Sequence, residues 1–218
     1  MKPLVIKGAS SHGAVVAEAA ASQWKVVGFV DNAGIKPSAA VFAPLIGQLE
    51  QLPALLDIYN VHNLFIAIGD NFQRREVVER VRAVAPNLNF PAIVHPSAII
   101  CHGAEIGEGA IVCAGAVVGT GAKVGAFAIV NTGASLDHHA MLGDFSSMAP
   151  ASATGGNVRI GSRSHIGMGV MVHHGVHIGN DVLVSSLSLV NKDLPDRVMA
   201  MGLPARVVRT REPGERYL

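Results

Sequence analysis

The chain has 218 residues, room for one large domain or two small ones. Half of them are hydrophobic, only 15% are charged and the net charge is +1, which gives no support to nucleic-acid or membrane-surface binding. No run of about 18 apolar residues occurs and no signal-peptide pattern opens the chain, so no membrane span is expected and the expected compartment is the cytoplasm. The two cysteines, Cys101 and Cys113, form neither a disulfide framework nor a metal-like cluster, and read as small core or surface residues.

Residues 1–92 alternate strand and helix patterns. Leu4-Val5-Ile6 predicts a strand, Gly8-Ala9-Ser10-Ser11-His12-Gly13 a glycine turn, and Ala14 to Ser22 a helix. A second strand is predicted over Val26 to Val30, closing on Asp31-Asn32. A third runs from Leu64 to Ile68 and closes on Gly69-Asp70-Asn71. A charged helix follows from Phe72 to Val84, and Asn89 to Val94 is expected to be a fourth strand. Strands alternating with helices imply a parallel sheet of Rossmann type, an α/β domain.

Such sheets bind ligands at the carboxyl ends of their strands. Gly8, Ser10, His12, Asp31, Asn32, Gly69 and Asn71 all fall there. The first turn is not a dinucleotide fingerprint, because Ser10 stands where a second glycine is required. Exposed N–H groups at a helix start can still hold a phosphate.

From Val94 to about Pro195 the chain repeats every six residues. The first position runs Val94, Ile100, Ile106, Val112 and onward to Val190, and every member except Thr154 is aliphatic. The fifth position is mostly Ala or Ser. Glycine recurs at the second, as in Gly107, Gly119, Gly125, Gly143 and Gly161, and is expected there to permit the turn. Six residues fit neither a helix nor a simple strand, but they make one short strand plus one turn, the repeat of a β-helix. His102, His138 and His174 all take the third position, where side chains at turns can point outward.

The hexads resemble the left-handed parallel β-helix of hexapeptide-repeat acyltransferases, which implies three hexads per coil. The G-A-S-x-H-G turn, the F-V-D strand end and the A-I-G-D-N-x-x-R segment (Ala67 to Arg74) precede that coil. Together they resemble the sialic-acid O-acetyltransferase and nucleotide-sugar N-acetyltransferase family over nearly the whole chain. The resemblance implies a nucleotide-sugar-binding domain over 1–92 and a β-helix acetyltransferase domain with a tail over 93–218. It implies acetyl-CoA as co-substrate, no metal, and a homotrimer with active sites between subunits.

By the same resemblance, Ser10 and His12 lie near the diphosphate or sugar, Asp31 and Asn32 near the nucleoside, and Gly69 in the same cleft. Asn131 to Ala140 is similar to the family's catalytic stretch, which makes His138 the general base and places Asp137 and His139 beside it. Imidazole suits the role because it titrates near neutral pH. Gly156, one coil on, is the implied N–H donor to the oxyanion. Ser147, Met168 and Ser186 fall where the family contacts acetyl-CoA, and Arg206, in Gly202-Leu203-Pro204-Ala205-Arg206, sits near the cofactor phosphates. Arg209, Arg211 and Arg216 are expected to be a solvated tail.

Two positions depart from the family pattern. His139 stands where the family has a carboxylate, leaving Asp137, a carboxylate of another subunit or a weaker base as the alternatives. Ser147 stands where a second histidine is frequent. His165 lies one coil later, and stacked coils are about 4.8 Å apart, so His165 is expected to reach the same space. The acceptor expected is the amino group of a nucleotide-linked sugar in glycan precursor synthesis. Alternatives are O-acetylation of a sialic acid, a non-catalytic trimeric scaffold, and a γ-carbonic-anhydrase-like metalloenzyme using His173, His174 and His177. Those three fall at different hexad positions and do not obviously converge.

Overall fold

The computed structural model of the protein describes residues 1–212 and 214–217. The chain begins with β1 (Lys2–Lys7), α1 (Ser11–Ala20), β2 (Trp24–Val30), α2 (Pro37–Ala40), β3 (Leu45–Gly47), α3 (Leu52–Tyr59), β4 (Leu64–Ile66) and α4 (Asn71–Val84). The strands form one parallel sheet in the order β3-β2-β1-β4. The order reverses between β1 and β4, so the crevice for a ligand opens at their carboxyl ends. Gly8 and Gly69 flank it. Gly8 has φ +115°, and a Cβ there would meet the Ala67 carbonyl oxygen at 2.5 Å; only glycine lets the two strand ends close up.

The predicted fourth strand is wrong. Asn89 makes only an isolated bridge to Asn63, and Ile93–Val94 is the first strand of the coil. The fourth strand of the sheet is β3, three residues at the edge beside β2. An edge strand so short, flanked by Pro44 and Gln48, carries too little alternation to be read. The α4 helix begins at Asn71, because the Asp70 carboxylate accepts the Gln73 N–H at 2.9 Å and caps it.

From Ile93 the chain winds as a left-handed parallel β-helix of two-residue strands. Three faces stack in register. The first includes Ile93–Val94, Ile111–Val112, Ile129–Val130, Ser147–Met148, His165–Ile166 and Leu183–Val184. The second includes Ile99–Ile100, Val117–Val118, Ser135–Leu136, Ala153–Thr154, Met171–Val172 and Leu189–Val190. The third includes Glu105–Ile106, Lys123–Val124, Met141–Leu142, Arg159–Ile160 and His177–Ile178. First-position side chains fill the interior with Val118, Val130, Leu136, Ile166 and Val184, each fully shielded from water. Burying each such side chain contributes about 1.5–3 kcal/mol before entropy is counted.

The role expected of the second-position glycines needs correcting. Positive φ falls at the fourth position instead, on Gly103, Gly109, Gly115, Gly121 and Gly133, and also on Phe127, His139, Phe145 and Asn157. At the second position the constraint is the neighbouring coil. A Cβ on Gly107 would lie 2.7 Å from the Ala126 nitrogen, and one on Gly119 would lie 2.6 Å from the His138 nitrogen.

The α/β domain sits on the first face. The outward column there reads Ile93, Ile111, Ile129, Ser147, His165, Leu183. Its apolar part shares a core with Leu4, Ala17, Phe29 and Phe65. Cys113 is buried in the same core, and burial pushes its thiol up to about 12. Arg74 rivets the junction. Its buried guanidinium donates to the carbonyls of Ile68, Gly69, Phe127 and Phe145 and to Asn71 Oδ1, at 2.7–3.0 Å. Past the coil, Val198–Gly202 and Ala205–Thr210 form an antiparallel hairpin that extends the first face.

Candidate active site

Below the junction the outward column of the first face turns polar, and there a cavity of about 810 Å³ opens. His12 and Gly69 line it from the α/β domain; Ser147, His165, Met168 and Ser186 line it from the coil. Six residues singled out from two distant stretches of sequence thus share one space. A shallower depression of about 910 Å³ runs along the third face; of the residues singled out from the sequence only His177, a candidate ligand in the metalloenzyme alternative, lines it.

Within the cavity, Ser147 Oγ lies 2.7 Å from His165 Nδ1. Burial, with Arg74 and Arg211 nearby, holds His165 down at about 4, so its ring is neutral at ordinary pH. His12 is likewise pulled down to about 4 by burial and by Arg74. Its Nε2 is shielded from water and has no hydrogen-bond partner among the described residues. An unmet buried polar atom at a cavity wall suits a ligand that supplies the missing bond.

One wall of the cavity went unread in the sequence. Tyr217 stacks on His165 with ring centroids 4.2 Å apart. Its hydroxyl accepts the Asn71 N–H at 3.1 Å and lies 3.4 Å from Ser147 Oγ. The tail is therefore not wholly solvated as expected. Arg211 is buried, donates to the Asp181 carbonyl at 3.1 Å and pairs with Glu215, while Arg209 pairs with Glu215 and Arg216 stays exposed. Nothing periodic in the last residues signals this docking, which depends on side-chain fit.

At the crevice mouth, Ser10 is exposed and caps α1 without using its hydroxyl in a cap bond. The Asp31 oxygens accept the N–H groups of Ala9 (2.8 Å) and Ala33 (2.9 Å), pinning the glycine turn. Asn32 donates to Glu50 at 2.7 Å. The expectation for Asn71 fails. Its side chain is buried, donates to the Arg163 and Ser164 carbonyls and accepts from Arg74, so it joins the domains and does not line the cavity. Arg206 is exposed on the final hairpin, with its guanidinium bonded to the Ala205 carbonyl.

His138 lies elsewhere. It occupies the corner between the second and third faces, across the prism from the cavity, and it is exposed. Its ring packs over Gly156, where any Cβ would overlap Cε1 and Nε2. Gly156 N–H donates to no backbone carbonyl among the described residues, whereas Gly155 and Asn157 both do. The Asp137 carboxylate does not orient the imidazole, since its Oδ1 accepts the His138 backbone N–H at 2.6 Å. His174 approaches, with ring centroids 6.2 Å apart. Among the described residues no three His, Cys, Asp or Glu side chains are grouped to hold a metal ion.

The α/β domain matches the model of the PglD N-terminal domain over residues 3–81, and residues 157–192 match the six-repeat bacterial transferase hexapeptide model. A histidine-to-alanine mutant of GDP-perosamine N-acetyl transferase from Caulobacter crescentus, in complex with CoA and GDP-perosamine, shares 34% identity and a TM-score of 0.87. The match covers 95% of this chain and 97% of that one. The chain belongs to the nucleotide-sugar N-acetyltransferase family. A second member of that family, the acetyltransferase domain of PglB from Neisseria gonorrhoeae in complex with acetyl coenzyme A, is 32% identical with a TM-score of 0.86. That match covers 95% and 99% of the two chains. WeeI from Acinetobacter baumannii shares the fold at 22% identity and a TM-score of 0.77, over 95% and 100% of the two chains. No protein in a search of curated sequences matched.

Proposed function

We propose that the protein transfers the acetyl group of acetyl-CoA to the amino group of a nucleotide-linked amino sugar. One observation carries this reading: a single cavity joins the strand ends of a nucleotide-type α/β domain to the coil residues expected at acetyl-CoA. Residues 1–92 bind the nucleotide sugar, with Ser10 and His12 toward the diphosphate or sugar, Gly69 lining the cleft, and Asp31 and Asn32 at the nucleoside side. Residues 93–218 hold acetyl-CoA, with Ser147, His165, Met168 and Ser186 along it and Arg206 toward its phosphates.

In the transfer the amine nitrogen attacks the thioester carbonyl. His138 Nε2 accepts the amine proton, the C–S bond breaks, and the proton passes to the departing sulfur. The developing oxyanion needs N–H donors. Gly156, whose N–H is not engaged by a backbone carbonyl and which lies against the His138 ring, meets that need.

His138 and the cavity stand on opposite sides of one coil, so one chain does not bring base and acceptor together. A neighbouring copy does. The outward column of the second face, which borders the His138 corner, includes Ile99, Val117, Ala153, Met171 and Leu189. The third face carries Glu105, Lys123, Arg159 and His177. Ile99 and Met171 are more than half exposed in the single chain. Apolar surface of this kind is normally covered. A cytoplasmic homotrimer seats it and sets each His138 against a neighbour's cavity.

A thiol-release assay with acetyl-CoA and a panel of UDP- and GDP-linked amino sugars, run beside free sialic acid, tests the reading. Fast release with one amino sugar, lost in His138→Ala, is expected. Release only with sialic acid makes the protein an O-acetyltransferase. Release with no acceptor contradicts the proposed transfer.

A further inference from the structure

His138 and His139 take the third and fourth positions of the same corner turn. The fourth position is left-handed, and His139 holds φ +56° where other corners place Gly121, Gly133 or Gly175. A non-glycine residue there costs about 1–2 kcal/mol. This backbone turns the His139 ring back toward His138, and the two Nδ1 atoms lie 3.2 Å apart. The rings are nearly perpendicular, at 80°.

Two glycines make the pairing possible. One coil after His138, Gly156 leaves space for its ring. One coil before His139, Gly121 lies under the second ring, where a Cβ would sit 3.1 Å from Cδ2. The two imidazoles therefore leave the turn toward opposite ends of the coil and meet only through Nδ1. Asp137 does not compete for that contact, because its carboxylate is bound to the His138 backbone N–H.

A hydrogen bond between two Nδ1 atoms at this distance requires one proton between them. With none, two lone pairs face each other; with two, both N–H groups do. When that proton sits on His138, a neutral His138 carries its free lone pair on Nε2, the atom over Gly156.

We infer that His139 is a positioning residue that holds His138 in the Nδ1–H tautomer, so that Nε2 is free to take the acceptor's proton. A neutral imidazole thus supplies the orientation that a carboxylate would supply together with charge. The inference rests on the proposed role of His138 as base.

During transfer Nε2 gains a proton and the pair becomes a cation, with Nδ1–H still donating to His139. The proton then leaves with the sulfur, and the neutral pair is restored. The other titratable groups at this corner are Asp137 in the same turn and His174, whose ring centroid lies 6.2 Å from that of His138; His102 holds the same hexad position two coils back. His139 adds no negative charge of its own.

The test compares kcat and kcat/KM across pH for the wild type, His139→Phe and His139→Glu. His139 is exposed, so both variants are expected to fold. His139→Phe should lower kcat about tenfold with the acceptor KM unchanged. His139→Glu should keep kcat within about threefold of wild type and move the acid limb to higher pH, because an adjacent anion favours the imidazolium. Wild-type kcat in His139→Phe, or an unmoved acid limb in His139→Glu, overturns the inference.

Imidazole ¹⁵N NMR gives a second readout that needs no acceptor. His138 should be the Nδ1–H tautomer in the wild type and mixed in His139→Phe. An Nε2–H tautomer in both overturns the inference. Loss of transfer in His138→Ala with His139 variants unchanged defeats only the pairing. An absence of transfer beside the expected tautomer defeats only the acetyltransferase reading.

Discussion

Ser147 Oγ and His165 Nδ1 meet at 2.7 Å across two successive strands of the first face, paired residue to residue. A histidine one coil along thus reaches the space beside Ser147. Neutral His165 has its second nitrogen available to a ligand, as a donor when Nδ1 accepts the Ser147 proton. His165→Ala is expected to lower kcat by about tenfold or more, in line with loss of one positioned hydrogen bond. Steady-state kinetics at saturating acetyl-CoA would check this, and an unchanged kcat would remove His165 from the site.

Gly156→Ala should slow transfer on the order of 10²-fold while leaving the fold intact. A methyl at that position overlaps the His138 ring. The ring must swing away, and misplacement by about 1 Å costs on the order of 10²-fold in rate. The expected result is a kcat loss of that size with an unchanged thermal midpoint. Near-normal kcat would show that the ring works from another position.

Arg74 is the buried cation on which the domain junction closes. Burial lowers it to about 10, which leaves it charged at neutral pH. Removing it orphans several carbonyls at once, so Arg74→Ala should cost about 3–5 kcal/mol. Arg74→Lys should recover little of this, because an ammonium lacks the planar fork that serves carbonyls from both domains. Thermal unfolding of the three proteins would show it.

His12 and His165 set an acid limit on stability. Both folded values sit near 4, below the ordinary 6.5, because burial disfavours the cation. The unfolded chain therefore binds more protons between those values. Their contribution is complete above about pH 6.5 and is lost as pH falls toward 4. Urea unfolding midpoints should drop across that window, and the drop should shrink in His165→Asn. A midpoint independent of pH from 7 to 4 would contradict the burial argument.

The coil was legible because its interior accepts only one chemistry at the first hexad position, and Val94 to Val190 keep that register. The α/β domain was legible where strands ran apolar into glycine, as at Ile6 to Gly8 and Ile68-Gly69. Short edge strand Leu45–Gly47 was not, since three residues carry no period. The second-position glycines were seen, but their cause lay in a neighbouring coil that no single hexad displays. Of the six expected residues that line the cavity, His12 and Gly69 stand at strand ends and His165 follows from the coil spacing, whereas Ser147, Met168 and Ser186 are implied only by the family resemblance. Asn71 was misplaced because a strand-end residue serves a ligand or a domain joint equally well until its partners are known. Tyr217 and the Arg74 joint were missed, as both depend on contacts between residues far apart in sequence.

The central claim is that a base from one copy serves the cavity of another. It can be measured with mixed oligomers. His138→Ala lacks the base, and Met168→Trp blocks the cavity at an exposed wall residue. Each should be inactive alone in thiol release from acetyl-CoA with the accepted amino sugar. Unfolded together and refolded as a mixture, they should regain a substantial fraction of wild-type turnover, since some sites pair an intact His138 with an intact cavity. A mixture as inactive as its parts would mean that each chain carries its whole site, and the account would be wrong.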